Sequence, residues 1–381
     1  MSSNKHLNIF QTPFHNPSIF QIRDKTRFDG QLVDFCVPAN SYFPPTEMEA
    51  LINRNMHDIL KYYPDYAPVY QDCIADLCDA PAENIVVANG ITEIITILCR
   101  ESRGPILTSV PTFGRWTDIP PDFDIPVFYL QRKKENAFRL SADEVIRRAR
   151  EVSASTVVIS NPNNPTGAWF TGEEIRAIAE ALTDVDHILI DESFIEFSDL
   201  ESAESLAMNS DNVIVVKSMG KSLGWHGIRL GYAVANTLQT EALRRKVPYW
   251  NINGLAGFVL KNMWRFKDEY RASFLKVAED RDYMFEQLQK VPGLITYPSK
   301  CNFLFSELPK GVSGKRVRDL LLDHYGLVVR ECSNKVGSTE YYLRNVVRRK
   351  EQTDALVSAL TDVLTALDRE PQVPEAEGVA G

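Results

Sequence analysis

The sequence predicts an α/β protein: a large domain with a mainly parallel seven-stranded sheet covered by helices, a smaller α+β C-terminal domain and an N-terminal arm. Short apolar runs alternate with stretches of helical periodicity from about residue 85 to residue 235. Apolar runs that lack polar alternation are typical of parallel strands buried on both faces. The chain has 381 residues, more than one compact core usually takes, so we expect two domains.

The arm is predicted to span residues 1–45, which are rich in Asn, Pro and Phe and show no sustained period. A strand is expected near residues 32–37. A helix is predicted at 46–60, because apolar side chains recur there at helical spacing and Thr46 is a suitable N-cap.

The large domain is predicted to span residues 46–290. Its seven strands are predicted from short apolar runs at 85–88, 106–110, 127–130, 157–160, 188–191, 213–217 and 230–235. Helices are expected at 92–100, 141–152 and 172–182, and the second opens with the capping-box pattern Ser141-Ala-Asp-Glu144. Residues 240–291 are expected to be largely helical and to include the connection to the second domain.

The small domain is predicted to span residues 291–368, with strands at 303–306, 327–330 and 341–347 and helices at 314–325 and 351–367. Residues 369–381 are rich in Pro, Glu and Gly, and we expect this tail to be disordered. The sequence contains no internal repeat.

Composition excludes several classes of function. A net charge of −9 argues against a nucleic-acid-binding surface. The six cysteines include no CxxC pair and the six histidines do not fall at metal-ligand spacings, so neither a metal site nor a disulfide framework is expected. Residues 1–15 lack the apolar core of a signal peptide, and no apolar run reaches membrane-spanning length. We therefore expect a cytoplasmic protein without a membrane partner.

The stretch from Ser218 to Gly231 contains the main chemical signal. Lys221 follows a buried apolar strand and stands among glycines that let the backbone approach a ligand closely. Arg229 lies eight residues further on, far enough to return to the same ligand. A lysine held at a rigid strand end can form a Schiff base with an aldehyde, and a nearby arginine can bind a phosphate on the same molecule. The pair therefore suits a phosphorylated aldehyde. The alternative is a basic surface loop with glycine turns.

Two further motifs occur in order along the chain. Asn164-Pro165-Thr166-Gly167 follows one predicted strand, and Asp191 ends the next. With the Lys221 stretch, these motifs resemble those of the aminotransferases that use pyridoxal phosphate, the fold type I family. Within it the chain looks most similar to the histidinol-phosphate aminotransferase and threonine-phosphate decarboxylase groups. The resemblance implies pyridoxal 5'-phosphate as cofactor and Lys221 as the catalytic residue that binds it covalently.

The resemblance also implies roles for other strand-end residues. The turn formed by Gly90, Ile91 and Thr92, with Ser218 and Arg229, would bind the cofactor phosphate. Phe113 would stack on the cofactor ring, Asn164 would donate to its ring oxygen, and Asp191 would pair with its pyridine nitrogen. Each residue also has an ordinary structural alternative: a simple strand-to-helix turn, a core phenylalanine, a proline-fixed loop or a helix cap.

Substrate and subunit contacts are implied in the same way. Arg344 would bind a substrate carboxylate or phosphate and Arg330 a second anion, because a guanidinium holds such groups at two points. Tyr63 matches a tyrosine that the family donates from the neighbouring subunit, which implies a homodimer with shared active sites. The arm would cross to that subunit, or else it is only a packed terminus.

The chain departs from the family pattern at Phe194, where most of these aminotransferases have a tyrosine, and in the arm at Pro38–Pro45. These departures leave the reaction open. The leading expectation is an aminotransferase of the histidinol-phosphate type, acting on an amino acid or phosphorylated amine. The alternatives are a decarboxylase of the threonine-phosphate type, an elimination or cyclisation enzyme, and a non-catalytic regulator, which the intact Lys221 disfavours.

Overall fold

A computed structural model describes residues 17–369 of the chain. Residues 370–381, which belong to the tail expected to be disordered, lie outside this described part. Residues 1–15, on which the signal-peptide argument depends, also lie outside it. The helices are α1 (Ile19–Lys25), α2 (Thr46–Lys61), α3 (Ala67–Ala75), α4 (Ile91–Glu101), α5 (Arg115–Asp118), α6 (Ala142–Glu151), α7 (Gly172–Ala181), α8 (Glu204–Met208), α9 (Met219–Ser222), α10 (Thr237–Arg244), α11 (Gly254–Asn262), α12 (Lys267–Leu288), α13 (Gly314–Tyr325) and α14 (Lys350–Asp368).

The strands divide between a large sheet and smaller ones. They are β1 (Val33–Asp34), β2 (Ile85–Ala88), β3 (Ile106–Val110), β4 (Val127–Gln131), β5 (Thr156–Ser160), β6 (His187–Asp191), β7 (Val213–Ser218), β8 (Gly231–Val234), β9 (Ile295–Tyr297), β10 (Phe303–Glu307), β11 (Leu327–Val328), β12 (Arg330–Glu331) and β13 (Tyr342–Val346).

The large sheet has seven strands in the order β2-β8-β7-β6-β5-β3-β4. Strand β8 runs antiparallel to both of its neighbours, and the remaining pairs are parallel. The predicted fold class is therefore confirmed. Strands β2, β3, β5 and β7 consist almost wholly of buried residues, which is why they appear in the sequence as continuous apolar runs.

The carboxyl ends of β3, β5, β6 and β7 lie along one edge of the large sheet, since these strands are parallel. Each end leads into one of the predicted motifs. Parallel sheets place their ligand sites at this edge because the loops that follow the strands converge there.

The largely helical region after residue 240 is interrupted. Helices α10 and α11 are separated by residues 245–253, which include Pro248, and Asn253 caps α11 by accepting a hydrogen bond from the N–H of Ala256. A short 3-10 segment, Met263–Phe266, separates α11 from α12. Proline and a capping asparagine both end helical runs, so one continuous helix is not formed.

The C-terminal region contains a four-stranded antiparallel sheet in the order β12-β13-β10-β9. A second hydrophobic core lies there, and it includes side chains from α12 such as Met284 and Leu288 and from the arm at Phe35. The predicted strand at 327–330 is two short strands. Strand β11 pairs in parallel with β1 of the arm, and β12 pairs with β13.

Residues 17–369 contain neither a membrane-spanning helix nor a metal-binding cluster. No helix in that range is both long and apolar enough to cross a membrane. No cluster of three or more His, Cys, Asp or Glu side chains in the same range could hold a metal ion.

Candidate active site

Lys221 lies in α9, immediately after β7, at the carboxyl edge of the large sheet. The chain then turns sharply at Gly224, where φ is +72°. A Cβ atom at Gly224 would collide with the carbonyl oxygen of Phe43 in the arm, so only glycine fits this close approach. The backbone N–H of Asn40 donates to the Lys221 carbonyl at 3.0 Å, which ties the arm to the same turn.

The Lys221 amine faces aromatic rings and two cations. Its Nζ lies 5.1 Å from the ring centroid of Phe194 and 5.9 Å from that of Phe113. Burial lowers the pKa of Lys221 to about 8, Asp191 opposes the shift, and the charges of Arg229 and Arg344 add to it. The amine is therefore far more often neutral near physiological pH than an ordinary lysine.

A cleft with ≈ 230 Å³ of empty space opens beside this amine. Its walls are Phe113, Ser160, Pro162, Asn164, Asp191, Ser193, Phe194 and Lys221. Four of the predicted site residues, namely Phe113, Asn164, Asp191 and Lys221, thus line one cavity. The Ser193 hydroxyl is buried and has no hydrogen-bond partner among the described residues, so a polar donor or acceptor remains available in the cleft.

Asp191 is buried, and two donors fix its carboxylate. The indole Nε1 of Trp116 donates to Oδ2 at 2.9 Å, and the backbone N–H of Ser193 donates to Oδ1 at 3.1 Å. Sequence reasoning missed Trp116, because nothing local connects the start of α5 with the end of β6. The two bonds hold a negative charge at the inner end of the cleft, where it can pair with a protonated ring nitrogen.

The turn at Gly90 meets Arg229 at the start of α4. Gly90 has φ of +75°, and a Cβ atom there would collide with the Arg229 guanidinium. Arg229 itself is exposed and donates from Nη1 to the carbonyl of His226 at 3.4 Å. The first N–H groups of a helix, here those of Ile91 and Thr92, have no partner within the helix. This cradle of backbone donors beside a guanidinium suits a phosphate.

Asn164, in the loop after β5, contacts Arg344 of the C-terminal sheet, and the second predicted arginine, Arg330, lies next to Arg344. Arg344 donates from Nη1 to Asn164 Oδ1 at 2.9 Å and from Nη2 to the Cys36 carbonyl, while its Nε is buried without a partner among the described residues. Arg330 lies directly opposite Arg344 in the pairing of β12 with β13. Arg330 donates from Nη2 to Asn334 at 2.6 Å.

Tyr63 does not lie in this cleft. Its side chain is 83% exposed, and its ring centroid is 5.1 Å from that of Trp250 on the protein surface. The predicted role of Tyr63 requires a second chain, and it stays a prediction.

The arrangement fits pyridoxal phosphate by the chemistry of its donors. It offers an amine with a lowered pKa, a fixed carboxylate, aromatic walls, an amide, and a helix start beside a guanidinium. Phe194 packs edge-to-face on Phe303 with a centroid distance of 5.0 Å, and it offers no hydroxyl to the cleft.

Comparisons with known proteins agree with this geometry. Residues 31–360 match the model of the family described as aminotransferase class I and II. A protein named L-serine phosphate decarboxylase from Campylobacter jejuni is 29% identical over 364 residues, which cover 92% of this chain and 93% of the relative. A solved structure of a decarboxylase from Sulfurospirillum multivorans has a TM-score of 0.86 at 28% identity, covering 94% of this chain and 95% of that one. A histidinol-phosphate aminotransferase from Methanopyrus kandleri is 28% identical over 342 residues, covering 85% of this chain and 86% of the relative.

Proposed function

Because the chain belongs to the class I and II aminotransferase family and is a pyridoxal-phosphate-dependent enzyme, its reaction is expected at the Cα atom of an amino acid or amine. We propose that it decarboxylates a phosphorylated α-amino acid. This was the alternative to the leading expectation from the sequence, transamination. The names of the relatives from Campylobacter jejuni and Sulfurospirillum multivorans support it. The aminotransferase function remains the second candidate because a histidinol-phosphate aminotransferase is also a relative.

The observation that carries the proposal is the pair of facing arginines in the small domain. Arg330 and Arg344 are both buried and are paired across two strands. Within residues 17–369, neither guanidinium has a carboxylate within ion-pair distance. Buried cations without counter-charges are costly, so a ligand with two separate anionic groups would be stabilised here. A phosphorylated amino acid has a carboxylate and a phosphate.

The cofactor, when bound, supplies an electron sink for the bonds at the substrate Cα. Asp191, fixed by Trp116, would hold the proton of the ring nitrogen, and Arg229 with the Gly90 turn would hold the phosphate. Arg344, which donates to Asn164 at the wall of the cleft, would bind the substrate carboxylate. The Cα–carboxylate bond breaks, carbon dioxide leaves, and a proton replaces it at Cα. Lys221 Nζ is the group within the cleft that can deliver that proton.

A homodimer with shared sites is part of the proposal. Five aromatic side chains are exposed by about half or more on two neighbouring loops, and we name them the aromatic patch: Tyr62, Tyr63, Tyr66, Tyr249 and Trp250. Tyr249 alone is 88% exposed. Clustered exposed rings are typical of a protein interface. A second copy of this chain is the occupant that the implied role of Tyr63 requires.

The test is a substrate panel with two readouts. The enzyme loaded with cofactor is incubated with O-phospho-L-serine, O-phospho-L-threonine or L-histidinol phosphate, with and without 2-oxoglutarate. We expect carbon dioxide and the phosphorylated amine from one of the phospho-amino acids, at a rate that does not depend on the oxo acid. Glutamate formation without carbon dioxide release would establish the aminotransferase reading instead.

A further inference from the structure

A third cation, Lys335, interacts with Arg330 and Arg344, and the family pattern gives it no role. Lys335 follows β12 in the loop that leads to β13, and its side chain is half-buried. Its Nζ donates to the carbonyl oxygen of Thr112 at 3.0 Å. Thr112 directly precedes Phe113, which lines the cleft. Within residues 17–369, no carboxylate lies within ion-pair distance of the Lys335 ammonium.

The loop that contains Lys335 is fixed against the large domain. Gln131, at the end of β4, donates from Nε2 to the carbonyl of Gly337 at 3.1 Å. At the other end, Arg330 donates to Asn334. The Lys335 ammonium is therefore held between the small-domain arginines and the loop that contains Phe113, rather than extending into solvent.

Burial and two neighbouring cations act together on the charge of Lys335. Burial lowers its pKa to about 7, and the charges of Arg330 and Arg344 add to this, while Cys332 and Asp118 oppose it. Asp118 is itself paired with Arg115 at 3.2 Å. A dianion placed among the three cations would restore the proton on Lys335 and remove the mutual repulsion.

We propose that Lys335 completes a three-cation pocket with Arg330 and Arg344 and binds the distal phosphate of the substrate. The inference rests on the proposed function and names the part of the substrate that the enzyme selects. One carboxylate and one phosphate dianion supply about three negative charges near neutral pH, because the second pKa of a phosphate monoester is about 6. Three cations match that charge, with Arg344 on the carboxylate and Lys335 with Arg330 on the phosphate. L-Serine, which lacks the phosphate, would leave two cations unpaired.

The alternative role for Lys335 is purely structural, as a hydrogen-bonded link to Thr112. Two substitutions separate the roles. Lys335→Gln keeps an N–H donor for the Thr112 carbonyl but removes the charge. Lys335→Met removes both. A structural link would tolerate glutamine and suffer from methionine, whereas a phosphate-binding charge would be lost equally in both variants.

The experiment measures binding to the cofactor-loaded enzyme by its absorbance: at equilibrium for the two ligands that are not decarboxylated, and from the rapid phase that precedes turnover for O-phospho-L-serine. The ligands are O-phospho-L-serine, O-phosphoethanolamine, which lacks the carboxylate, and L-serine, which lacks the phosphate. Lys310→Gln is the matched control, because Lys310 is an exposed lysine of the same domain. We expect Lys335→Gln to raise the Kd of both phosphorylated ligands about ten- to hundredfold and to leave that of L-serine within about twofold. Lys335→Arg, which keeps the charge, should recover part of the loss.

A second measurement tests whether Lys335 takes up a proton when the ligand binds. Because the free ammonium titrates near pH 7, binding of O-phosphoethanolamine at pH above 7 should be accompanied by proton uptake at Lys335. Affinity for the phosphate should therefore fall as pH rises through about 7. Calorimetry in two buffers of different ionisation enthalpy measures this uptake, and Lys335→Gln should reduce it while Lys310→Gln should not.

The outcomes separate the inference from the proposed function. If the wild-type enzyme releases no carbon dioxide but its affinity for O-phosphoethanolamine depends on Lys335, the proposed function fails and the phosphate pocket stands. If O-phospho-L-serine is decarboxylated but Lys335→Gln changes the binding of all three ligands equally, or of none, the pocket is overturned. Weaker binding of the phosphorylated ligands by Lys335→Met, together with normal binding by Lys335→Gln, would show that Lys335 is only a structural link.

Discussion

At the scale of single residues, two lysines four positions apart have opposite electrostatic surroundings. Burial alone would lower the pKa of Lys217, but Glu196, Glu192 and Glu204 outweigh it and raise that pKa. Burial lowers the pKa of Lys221 to about 8, Asp191 opposes this shift, and Arg229 and Arg344 add to it. The motif in the sequence distinguishes Lys221 from Lys217. It does not reveal these charge states, because the carboxylates come from distant segments.

The first prediction concerns how Lys221 captures the cofactor. Only the neutral amine is a nucleophile, so covalent capture should speed up as pH rises through about 8 and level off above it. Mixing the cofactor-free enzyme with pyridoxal phosphate in a stopped-flow absorbance instrument at a series of pH values measures this. Lys221→Ala, the control, should show no covalent absorbance change. A midpoint near the ordinary lysine value of 10.5 would contradict the lowered pKa.

Sequence motifs predicted much of the site, and tertiary contacts supply the rest. Asn164, Asp191 and Lys221 were predicted because each ends or follows an apolar strand in a recognisable local pattern, and all three line the cleft. Trp116 and Lys335 have no such pattern. Trp116 donates a hydrogen bond to Asp191, and Lys335 donates one to the carbonyl of Thr112. Both bonds join residues far apart in the chain, so no local pattern predicts them.

At the scale of elements, burial on both faces explains which strands the sequence revealed. All seven strands of the large sheet lie where apolar runs predicted them. Strand β9 and helix α1 were missed, because β9 has three residues and its first is exposed, and α1 has one buried residue. Strands β11 and β12 are separate because β11 pairs with β1 of the arm and β12 pairs with β13, on the two sides of Val329. The local sequence cannot predict this division, since it depends on distant pairing partners.

The second prediction concerns the charge cluster on β7. Lys217 Nζ lies 2.9 Å from Glu204, 3.5 Å from Glu192 and 3.6 Å from Glu196. Lys217→Met would leave three carboxylates without their cation, so the free energy of unfolding should fall by about 3–5 kcal/mol. Urea unfolding measures the change. Lys290→Met, at an exposed lysine, should change it by no more than about 0.5 kcal/mol.

The sign of the pH dependence gives a further check on Lys217→Met. Burial already raises the pKa of Glu192 and of Glu196, and removing the ammonium raises them more. A carboxyl group with a folded-state pKa above its unfolded value destabilises the fold as pH rises through that range. The variant should therefore be closest to the wild type in mildly acidic buffer and fall further behind toward alkaline pH. An equal deficit at all pH values would mean lost packing rather than lost charge.

At the scale of the whole molecule, the arm connects the hydrophobic core of the large sheet, which contains Phe43, to the second core and to the site. Phe35 is buried in the second core, and Arg348 donates to the carbonyls of Asp34, Val37 and Ala39. Asn40 then bonds to the turn that contains Lys221. Residues 33–43 thus pack on their own chain. The sequence left open whether the arm also reaches a partner, and that crossing stays a prediction.

The aromatic patch gives the third prediction, on assembly. Introducing a charge at its centre with Trp250→Glu should place an unpaired carboxylate in the interface and shift the protein toward monomer. Sedimentation velocity at several protein concentrations measures the shift. Trp264→Glu is the control, because Trp264 is 70% exposed outside the patch and should leave assembly unchanged. A wild-type protein that sediments as a fully active monomer would contradict the shared-site dimer.

Shared sites also predict complementation between two damaged chains. Tyr63 lies outside the cleft of its own chain, so any contribution to catalysis must come from across the interface. Tyr63→Ala and Lys221→Ala homodimers should both be impaired, the second completely. After mixing and subunit exchange at equal amounts, half of the dimers are mixed, and each has one site with an intact Lys221 and an intact Tyr63 from the other chain. About a quarter of all sites is then restored, and activity should rise above the average of the separate homodimers. If Tyr63 acted on its own chain, no mixed site would be restored and activity would stay at that average.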